Sequence, residues 1–310
     1  MTSQPRYDEL PLLAGSDLRC GWDVFGAGDQ LGTLNHLTAA RRLAAAASIR
    51  SGECINLTLP LDQPDPPLFG RHRPVHEVFA LNPFSWDDRL TLDPQASTQW
   101  DGLLHVKHRT AGFYGGRHQD PVSGGPLGID QWVRHGLAGR GVLLDILGHF
   151  TDTGRSYDPL SSQPITADDL AEVADAQQVR LQPGDILCLR FGWLAAYRDS
   201  DEQARVAQSR QTSCAGLAAT EETARYLWDS SIAAAVADNP SVEAMPGDRE
   251  VGFLHHRLLT MFGMPLGELF ALDELAERCR ARGRWDFLFV ANPLHVTGAI
   301  GSPGNALALL

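Results

Sequence analysis

Residues 95–105 read QASTQWDGLLH, and the interpretation of the rest of the chain starts from this stretch. Counted from residue 95, it carries polar side chains at offsets of 0, 4, 6 and 10. It is short and contains Gly and Trp, so it does not read as an ordinary amphipathic helix. If the piece is extended, Gln99 and Asp101 point to the same face, because side chains alternate along a strand. A tight bend at Gly102 would then return His105 toward them. The sequence therefore predicts a short strand and a turn that gather polar groups on one side.

Composition and charge indicate a soluble globular protein. The chain has 310 residues, of which 43% are hydrophobic and 21% are charged, and this is enough to bury a substantial core. Its net charge of −12 argues against a nucleic-acid partner, because phosphate binding needs a basic surface. No apolar run reaches membrane-spanning length, and the start MTSQPR lacks the apolar segment of a secretion signal. We therefore expect a cytoplasmic protein that binds neither nucleic acid nor membrane.

Helical and apolar segments alternate along the chain without a composition break, a repeat or a linker. The helix-like segments are 38–50, 166–178, 218–230 and 272–282. The strand-like segments are 53–59, 141–146, 185–191, 232–237 and 286–291. This pattern predicts one α/β domain over residues 1–310, built on a mixed sheet that helices cover.

Two stretches lie outside this alternation. We interpret residues 1–20 as an N-terminal extension. Residues 60–94 form a Pro-rich arm or loop, and its first part contains Pro64, Pro66, Pro67 and Pro74. Proline fixes φ and removes a donor, so residues 60–74 are expected to be irregular but stiff. The composition fits either an exposed loop or a lid over a site.

The spacing within residues 95–105 resembles the metal-site motif of the cyclase family, which contains bacterial kynurenine formamidase, isatin hydrolase and a dienelactone hydrolase. That motif reads His-x-Gly-Thr-His-x-Asp-x-Pro-x-His. Thr98, Asp101 and His105 match it, whereas both earlier His positions hold glutamine, Gln95 and Gln99. The likeness covers most of the chain from about residue 20, and it includes segments 141–145, 228–240, 255–256, 264–268 and 301–305.

The resemblance implies a fold, an assembly and further site residues. The family has a swivelling β/β/α fold, in which the strand that carries the motif meets later loops at a central site. The resemblance also implies a homodimer or a higher homo-oligomer. His256 and Glu268 resemble the later family residues that assist ligation or proton transfer. Only one of the adjacent His255 and His256 can face inward from a helix, and either could be the match. The twelve-residue gap to Glu268 selects His256.

Asp101 and His105 are the leading catalytic candidates. A carboxylate near an imidazole fixes its tautomer and raises its basicity, and an imidazole that titrates near neutral pH is the commonest general base. Within the motif we interpret His105 as the base and Asp101 as the group that orients it. A simple hydrogen bond beneath a turn is the alternative for this pair, and a favourable charge at a helix N-terminus is the alternative for Glu268.

Gln95 and Gln99 determine what a metal ion would find in this motif. Zn²⁺ is normally held by Cys, His and carboxylate, and two amide oxygens beside Asp101 make a weak cage for it or for harder ions. We therefore expect a site that is metal-free or that binds Mn²⁺ or Zn²⁺ weakly. Each glutamine would otherwise donate its amide NH₂ to a substrate carbonyl or form ordinary hydrogen bonds in a turn.

Trp100, Phe113 and Tyr114 are aromatic neighbours of the motif. Such residues more often pack in a core, but an aromatic wall would suit a planar ring substrate, so we assign them to a substrate pocket. The Gly-rich tail 297–305 matches neither GxGxxG nor a P-loop and so does not predict a nucleotide site, although its N–H groups would suit an oxyanion. No Gly-x-Ser-x-Gly elbow of a serine hydrolase is present.

The expected function is hydrolysis of an amide, a lactone or an activated ketone in a ring-bearing small molecule. His105 would act as general base, Asp101 would orient it, and His256 with Glu268 would handle the leaving-group proton. The two motif glutamines, together with Asp101, would bind a labile cation or the substrate carbonyl. A metal-free cyclase or isomerase with the same acid–base set is one alternative, and a non-catalytic small-molecule-binding protein is the other.

Overall fold

The strands and helices of a computed structural model follow the predicted α/β organisation, and the structure describes residues 4–118, 120–121, 124–248 and 250–310. The strands are β1 Cys54–Asn56, β2 Val75–Asn82, β3 Ser85–Thr91, β4 Gln99–Asp101, β5 Leu137–Asp145, β6 Pro164–Ile165, β7 Ile186–Arg190, β8 Gly216–Leu217, β9 Ala234–Ala237, β10 Leu266–Glu268, β11 Asp286–Ala291, β12 Gly301–Pro303 and β13 Ala306–Leu309. The α-helices are α1 Ala39–Ala46, α2 Asp130–His135, α3 Ile146–Asp152, α4 Ala167–Ala176, α5 Trp193–Asp199, α6 Glu202–Arg210, α7 Glu221–Asp229 and α8 Asp273–Arg282. The other helical segments are the 3₁₀ turns Tyr7–Glu9, Gly32–His36 and Tyr114–Gly116 and the π-helical segment His256–Phe262.

One mixed sheet organises the domain. Within the described residues it has nine strands in the order β1-β13-β11-β5-β7-β9-β10-β4-β12. The central strands β5, β7, β9 and β10 run parallel to one another, and the strands on both sides of them join antiparallel. Strands β7 and β9 are apolar runs, as expected for strands whose two faces are both covered. The prediction of an α/β domain with a mixed sheet is therefore confirmed.

Helices cover the sheet where the sequence placed them. Thr38, Thr166 and Thr220 each begin a helix by accepting a hydrogen bond from the main-chain N–H three residues later. Helix α1 packs on β5 and β11, and α4 packs on β5. The observed helices α1, α4 and α7 are shorter than the predicted spans, because the outermost residues of those spans form caps and turns. No helix in the described part of the chain combines the length and the apolar character needed to cross a bilayer.

The Pro-rich arm contains a hairpin that the sequence analysis did not predict. Residues 60–74 are irregular, as their prolines require, but β2 and β3 pair antiparallel over residues 75–91. Nearly every residue of this hairpin is exposed, including the large side chains of Phe84 and Trp86. A strand with no buried face is not selected for alternating apolar and polar residues. The periodicity that identified the other strands was therefore absent here.

The pairing of β4 with β10 brings two remote parts of the chain together. Gln99 lies opposite Glu268, and Trp100 lies opposite Gly267. Because side chains alternate along a strand, Gln99 and Asp101 share one face of β4 and Trp100 occupies the other. The extended conformation predicted for this stretch is thus present, and it places three polar side chains on the same side of the sheet.

A substitution at Gly267 tests how tightly the Trp100 face of β4 is packed. A Cβ at this position would lie 2.8 Å from the Phe270 ring and 3.2 Å from the Trp100 ring. We expect Gly267→Ala to lower the free energy of unfolding by about 1–3 kcal/mol, the usual cost of overpacking a core. Urea unfolding measures this change. Gly247→Ala is the matched control, because its nearest heavy atom would be 3.9 Å away, and equal stability of the two variants would contradict the packing described.

Candidate active site

Three buried acid–base side chains converge beside β4. Asp101 on β4, Glu268 on β10 and His255 at the start of the π-helical segment place possible ligand atoms within 4.8 Å of one another. We call these three residues the acidic cluster. π-Helical turns are rare and often occur at functional sites, so the position of His255 at such a turn supports a functional role for the cluster.

His255 is held from one side by Glu243. The Nδ1 atom of His255 makes a short hydrogen bond with Oε1 of Glu243, and the same carboxylate accepts the main-chain N–H groups of Leu254 and His255. The Nε2 atom of His255 lies 3.3 Å from Oε1 of Glu268 and 3.9 Å from Oδ2 of Asp101. Burial acts to lower the pKa of His255, but the Glu243 and Glu268 carboxylates outweigh burial and raise this pKa well above its usual value.

Glu268 and Asp101 carry the negative charge of the cluster unequally. Glu268 accepts hydrogen bonds from Nε2 of Gln99 at 2.8 Å and from the main-chain N–H of Val242 at 3.0 Å. Burial acts to raise the pKa of Glu268, but its contact with His255 lowers it. Neither carboxylate oxygen of Asp101 has a hydrogen-bond partner among the described residues, and burial and the charge of Glu268 raise its pKa well above the usual value. A buried carboxylate in this position requires a proton or a cation.

His105 follows Asp101 through the turn predicted at Gly102. The main-chain N–H of His105 donates to the carbonyl of Gly102 at 2.9 Å, and the carbonyl of Ile300 lies too close to Gly102 for a side chain to fit. The Nδ1 atom of His105 lies 3.7 Å from Oδ1 of Asp101, which is an ion-pair distance rather than a hydrogen bond. Burial lowers the pKa of His105 to about 4, so its imidazole is neutral at pH 7 and can accept a proton.

Arg71 reaches the same place from the Pro-rich arm. Its Nη1 atom donates to the main-chain carbonyl of Gln95 at 2.5 Å and to Oε1 of Gln99 at 3.3 Å. The guanidinium carbon lies 5.1 Å from the centroid of the Phe69 ring. Burial lowers the pKa of Arg71, and the charge of Glu268 acts in the opposite direction. The arm therefore supplies a positive charge beside the acidic cluster.

A cavity of about 300 Å³ opens onto these groups. Its polar lining consists of Arg71, His105, Ser241, His255 and Glu268, and its apolar lining consists of Phe69, Pro240, Met245 and Phe253. The Phe253 ring stacks on the imidazole of His255, with 4.6 Å between centroids and 6° between planes. The volume lies at the small end of the range for pockets that enclose organic ligands, so it suits a molecule with one ring.

The structure brings four of the sequence-predicted residues together, namely Gln99, Asp101, His105 and Glu268. It corrects the choice between the adjacent histidines, because His255 rather than His256 enters the cluster. His256 is half-buried, with its ring 5.0 Å from that of His108. Neighbouring side chains on a helix point about 100° apart, so only one of the two can face the cluster. The gap to Glu268 was a poor guide because the intervening chain is π-helical and then extended.

The three aromatic residues assigned to the substrate pocket lie elsewhere, which is a second correction. Trp100 is on the opposite face of β4 and packs edge-on against Phe270. Phe113 lines a separate and much smaller cavity, and the hydroxyl of Tyr114 donates to Asp29 at 3.1 Å. All three are buried in the core because alternation on β4 and the turns that follow it direct them there. The ring wall of the cavity beside the acidic cluster comes from the arm and from the loop before His255.

The side chain of Gln99 does not offer its carbonyl to the acidic cluster, which corrects the ligand role expected for this residue. The carbonyl of Gln99 accepts from Arg71, and its amide NH₂ donates to Glu268. The amide of Gln95 lies against Gly301, where an added Cβ would come within 2.5 Å of its Nε2 atom. Gln99 therefore connects Arg71 to the cluster, and Gln95 contributes through its main-chain carbonyl.

Glu243 and Arg71 were not among the site residues predicted from the sequence. A signal for Glu243 existed, because it follows the apolar strand β9, and ligands of α/β proteins collect beyond the carboxyl ends of such strands. Arg71 had no comparable signal. It lies in an arm with other cationic residues, and the turn that directs it inward is not visible in the sequence.

The donors of the acidic cluster fit a divalent cation. Two carboxylates and an imidazole are ligands that Mn²⁺ and Zn²⁺ accept. Both oxygens of Asp101 are buried without a hydrogen-bond partner among the described residues. Glu243 occupies Nδ1 of His255, which is how a carboxylate commonly orients a metal-binding histidine. This donor set replaces the glutamine-based set expected from the motif.

Comparison with known proteins establishes the family of the chain. The family model named Cyclase matches residues 55–244. The chain belongs to the cyclase family. A solved structure described as a novel cyclase shares 32% identity with it, covers 95% of this chain and 100% of its own, and has a TM-score of 0.83. The fold class and the family resemblance predicted from the sequence are thereby confirmed.

More distant solved structures share the fold of this cyclase-family protein. Isatin hydrolase A from Labrenzia aggregata, bound to benzyl benzoate, has 18% identity, 87% and 98% coverage of the two chains, and a TM-score of 0.61. A predicted metal-dependent hydrolase from Bacillus stearothermophilus has 19% identity, 83% and 97% coverage, and a TM-score of 0.50. No curated protein matches the chain significantly.

The unpaired carboxylate of Asp101 predicts a stability gain when it is neutralised. Its pKa is higher in the folded chain than in the unfolded chain, so its contribution to stability is present below the unfolded pKa and is lost as the pH rises through the folded pKa. In EDTA at pH 7, we expect Asp101→Asn to raise the free energy of unfolding by about 1–3 kcal/mol, the size of the penalty for a buried unpaired group.

Urea unfolding at two pH values measures this effect. The difference between Asp101→Asn and the wild type is expected to shrink toward pH 4, where the wild-type carboxyl group carries its own proton. Asp87→Asn, at an exposed position of the hairpin, controls for the change of net charge. A variant that is less stable than the wild type at pH 7 would contradict the unpaired state of Asp101.

Proposed function

We propose that this cyclase-family protein is a hydrolase that acts on an amide, a lactone or an activated ketone in a ring-bearing small molecule. The observation that carries the proposal is the position of the His105 imidazole, which lines the same cavity as His255 and Glu268 of the acidic cluster. Addition of water to a carbonyl needs a base and a group that stabilises developing charge, both within reach of the bound substrate. The distant structural neighbours named as hydrolases agree with this class of reaction.

His105 would move the proton in both halves of the reaction. Its imidazole accepts a proton from water while the water oxygen attacks the carbonyl carbon. The charge of Glu268 favours the resulting imidazolium, and Asp101, 3.7 Å from Nδ1, orients the ring. The same imidazolium then returns the proton to the departing atom as its bond to the carbonyl carbon breaks. This atom is nitrogen in an amide, oxygen in a lactone and carbon in an activated ketone. The products are a carboxylic acid and an amine, an alcohol or the protonated carbon fragment, or one ring-opened molecule that contains both groups.

Asp101, His255 and Glu268 would hold a divalent cation, with Mn²⁺ and Zn²⁺ as the candidates. Such a cation, when bound, polarises a carbonyl and lowers the pKa of water. Glu243 keeps Nδ1 of His255 occupied, so that Nε2 faces the cluster. Gln99 orients the Glu268 carboxylate through its amide NH₂. These two residues therefore position the ligands.

A metal-free cyclase or isomerase is the second candidate, because Arg71 already provides a cation beside the cluster. In that reaction His105 would transfer a proton within the substrate and no water would be consumed. The two candidates differ in the origin of one product oxygen. Mass spectrometry of products formed in ¹⁸O-labelled water separates them, since only hydrolysis incorporates the label.

The proposed ligand set predicts which of the two adjacent histidines matters for ion binding. After loading with Mn²⁺ or Zn²⁺ and desalting, we expect the purified wild type to retain about one ion per chain. His255→Ala is expected to bind the ion at least about 10- to 100-fold more weakly, because the variant loses a ligand or a contact that orders one. Elemental analysis and isothermal titration calorimetry measure the content and the affinity.

His256→Ala is the matched control for this experiment, because its side chain lies next in the chain but faces His108. It is expected to keep the wild-type affinity. Circular dichroism of each variant confirms that it is folded. A wild type that binds neither ion, or an equal loss in both variants, would contradict the proposed ligand set.

The proposed base predicts a specific loss of turnover. On a panel of formanilides, aryl lactones and isatin-like compounds, we expect His105→Ala to reduce kcat/KM about 10²- to 10⁴-fold, the usual contribution of a general base. Absorbance assays of ring opening or amine release measure this rate. His108→Ala, a change in the same loop but outside the lining of the cavity beside the acidic cluster, is expected to remain close to wild type. Equal rates for His105→Ala and the wild type would exclude His105 as the base.

A further inference from the structure

The guanidinium of Arg71 has an unused edge beside the cavity. Arg71 lines the cavity, and within the described residues its side-chain hydrogen bonds come from Nη1, which leaves Nε and Nη2 available. We propose that Arg71 binds a carboxylate of the substrate and so selects ring-bearing carboxylates. This inference rests on the proposed function, because it names the substrate class of the same cavity.

The geometry of a guanidinium favours this ligand over a neutral one. Its planar N–H groups match the two oxygens of a carboxylate, and such paired, charge-assisted hydrogen bonds are among the strongest in proteins. The pKa of Arg71 is lowered by burial, which means that its cation has lost part of its water. A substrate carboxylate would replace that water with an opposite charge, whereas a neutral substrate would bring no charge to the guanidinium.

Arg71 is held in place before any ligand arrives. The main-chain carbonyl of Gln95 and the side-chain carbonyl of Gln99 both accept from Nη1, and these two acceptors fix the plane of the guanidinium. The Phe69 ring packs against the same group at 5.1 Å. A ligand therefore meets an oriented cation, and little conformational entropy is lost on binding.

The local main chain is adapted to direct Arg71 inward. Phe69 has φ = 56° and Gly70 has φ = 71°, both in the left-handed region. This conformation is unfavourable for a residue with a side chain. The next two residues along the arm are exposed and pair with surface carboxylates, His72 with Asp93 and Arg73 with Asp65. Among residues 71–73, the turn thus selects Arg71 for the cavity.

The residues that line the cavity then predict where each group of the substrate would lie. Its carboxylate would bind Arg71, its ring would lie near Phe69 and Phe253, and its reacting carbonyl would face His105. The substrate class is therefore a cyclic or aromatic carboxylate that also carries an amide, a lactone or an activated ketone. A neutral ring compound of the same size would bind without the Arg71 contact.

Benzoate and benzamide provide a matched pair of probes for this contact. They have the same ring and nearly the same size, and differ in charge. We expect EDTA-treated wild type to bind benzoate at least about 10-fold more tightly than benzamide, the strength of a charge-assisted pair at a partly exposed site. Arg71→Gln is expected to remove this preference, and Arg71→Lys is expected to restore only part of it, since an ammonium lacks the paired donors.

Isothermal titration calorimetry measures these affinities, and Arg73→Gln is the control because Arg73 lies on the same arm and faces solvent. Equal affinity of the wild type for the two probes, no detectable binding of benzoate, or a preference that survives in Arg71→Gln would overturn the proposal. The titrations are repeated with Mn²⁺. A benzoate preference that appears only with Mn²⁺ and persists in Arg71→Gln would assign the carboxylate to the ion and would also overturn it.

Turnover distinguishes failure of this proposal from failure of the proposed function. For a ring carboxylate that is a substrate, Arg71→Gln is expected to raise KM about 10-fold or more with a smaller change in kcat, as expected for loss of a contact made equally in ground and transition states. A benzoate preference without turnover would leave the carboxylate site intact and reject the hydrolase. Turnover of neutral and anionic substrates with equal KM would support the hydrolase and reject the carboxylate site at Arg71.

Discussion

The antiparallel pairing of β4 with β10 fixes the chemistry of this protein. It places Gln99 directly opposite Glu268, and strand alternation then puts Asp101 on the same face. A shift of one residue would turn both polar side chains of β4 into the core and Trp100 toward the cavity. Gly267 favours the observed register, because the absence of a side chain leaves the space that the Trp100 ring fills. Apolar packing on one face of β4 therefore sets the positions of acids on the other.

The buried charged groups of the acidic cluster lower the stability of the fold, and the same groups are the ones available for acid–base chemistry. Asp101 is fully buried without a hydrogen-bond partner among the described residues, and its pKa is raised by burial. A core of equal volume without charge would be more stable. The chain limits the cost by giving Glu268 two donors and His255 a carboxylate on its far side. Within the described residues only the Asp101 carboxylate of this cluster lacks a hydrogen bond, and Asp101 is also the member of the cluster that lies nearest to His105 along the chain.

Local signals were sufficient for part of this structure. Thr38 and Thr166 identified helix starts because a hydroxyl can accept a free main-chain N–H, and the turn after Asp101 could be predicted because Gly102 permits a close approach. The choice of His255 over His256 could not be predicted, since a π-helical segment follows no period that the sequence displays. Arg71 could not be found either. Its direction depends on a left-handed φ at Phe69, a conformation that non-glycine residues rarely adopt.

The charges of the site balance in two different ways. Ionised Asp101, Glu243 and Glu268 would bring three negative charges, and Arg71 supplies one positive charge. Without a metal, the imidazolium of His255 supplies a second positive charge and a proton on Asp101 removes the third negative one, as the directions of their pKa shifts require. A divalent cation with neutral His255 gives the same neutral sum. Arg71 is common to both states, and glutamine at positions 95 and 99 adds charge to neither. A carboxylate bound at Arg71 would therefore add one negative charge to a neutral site, and this addition is the same whether or not an ion occupies the cluster.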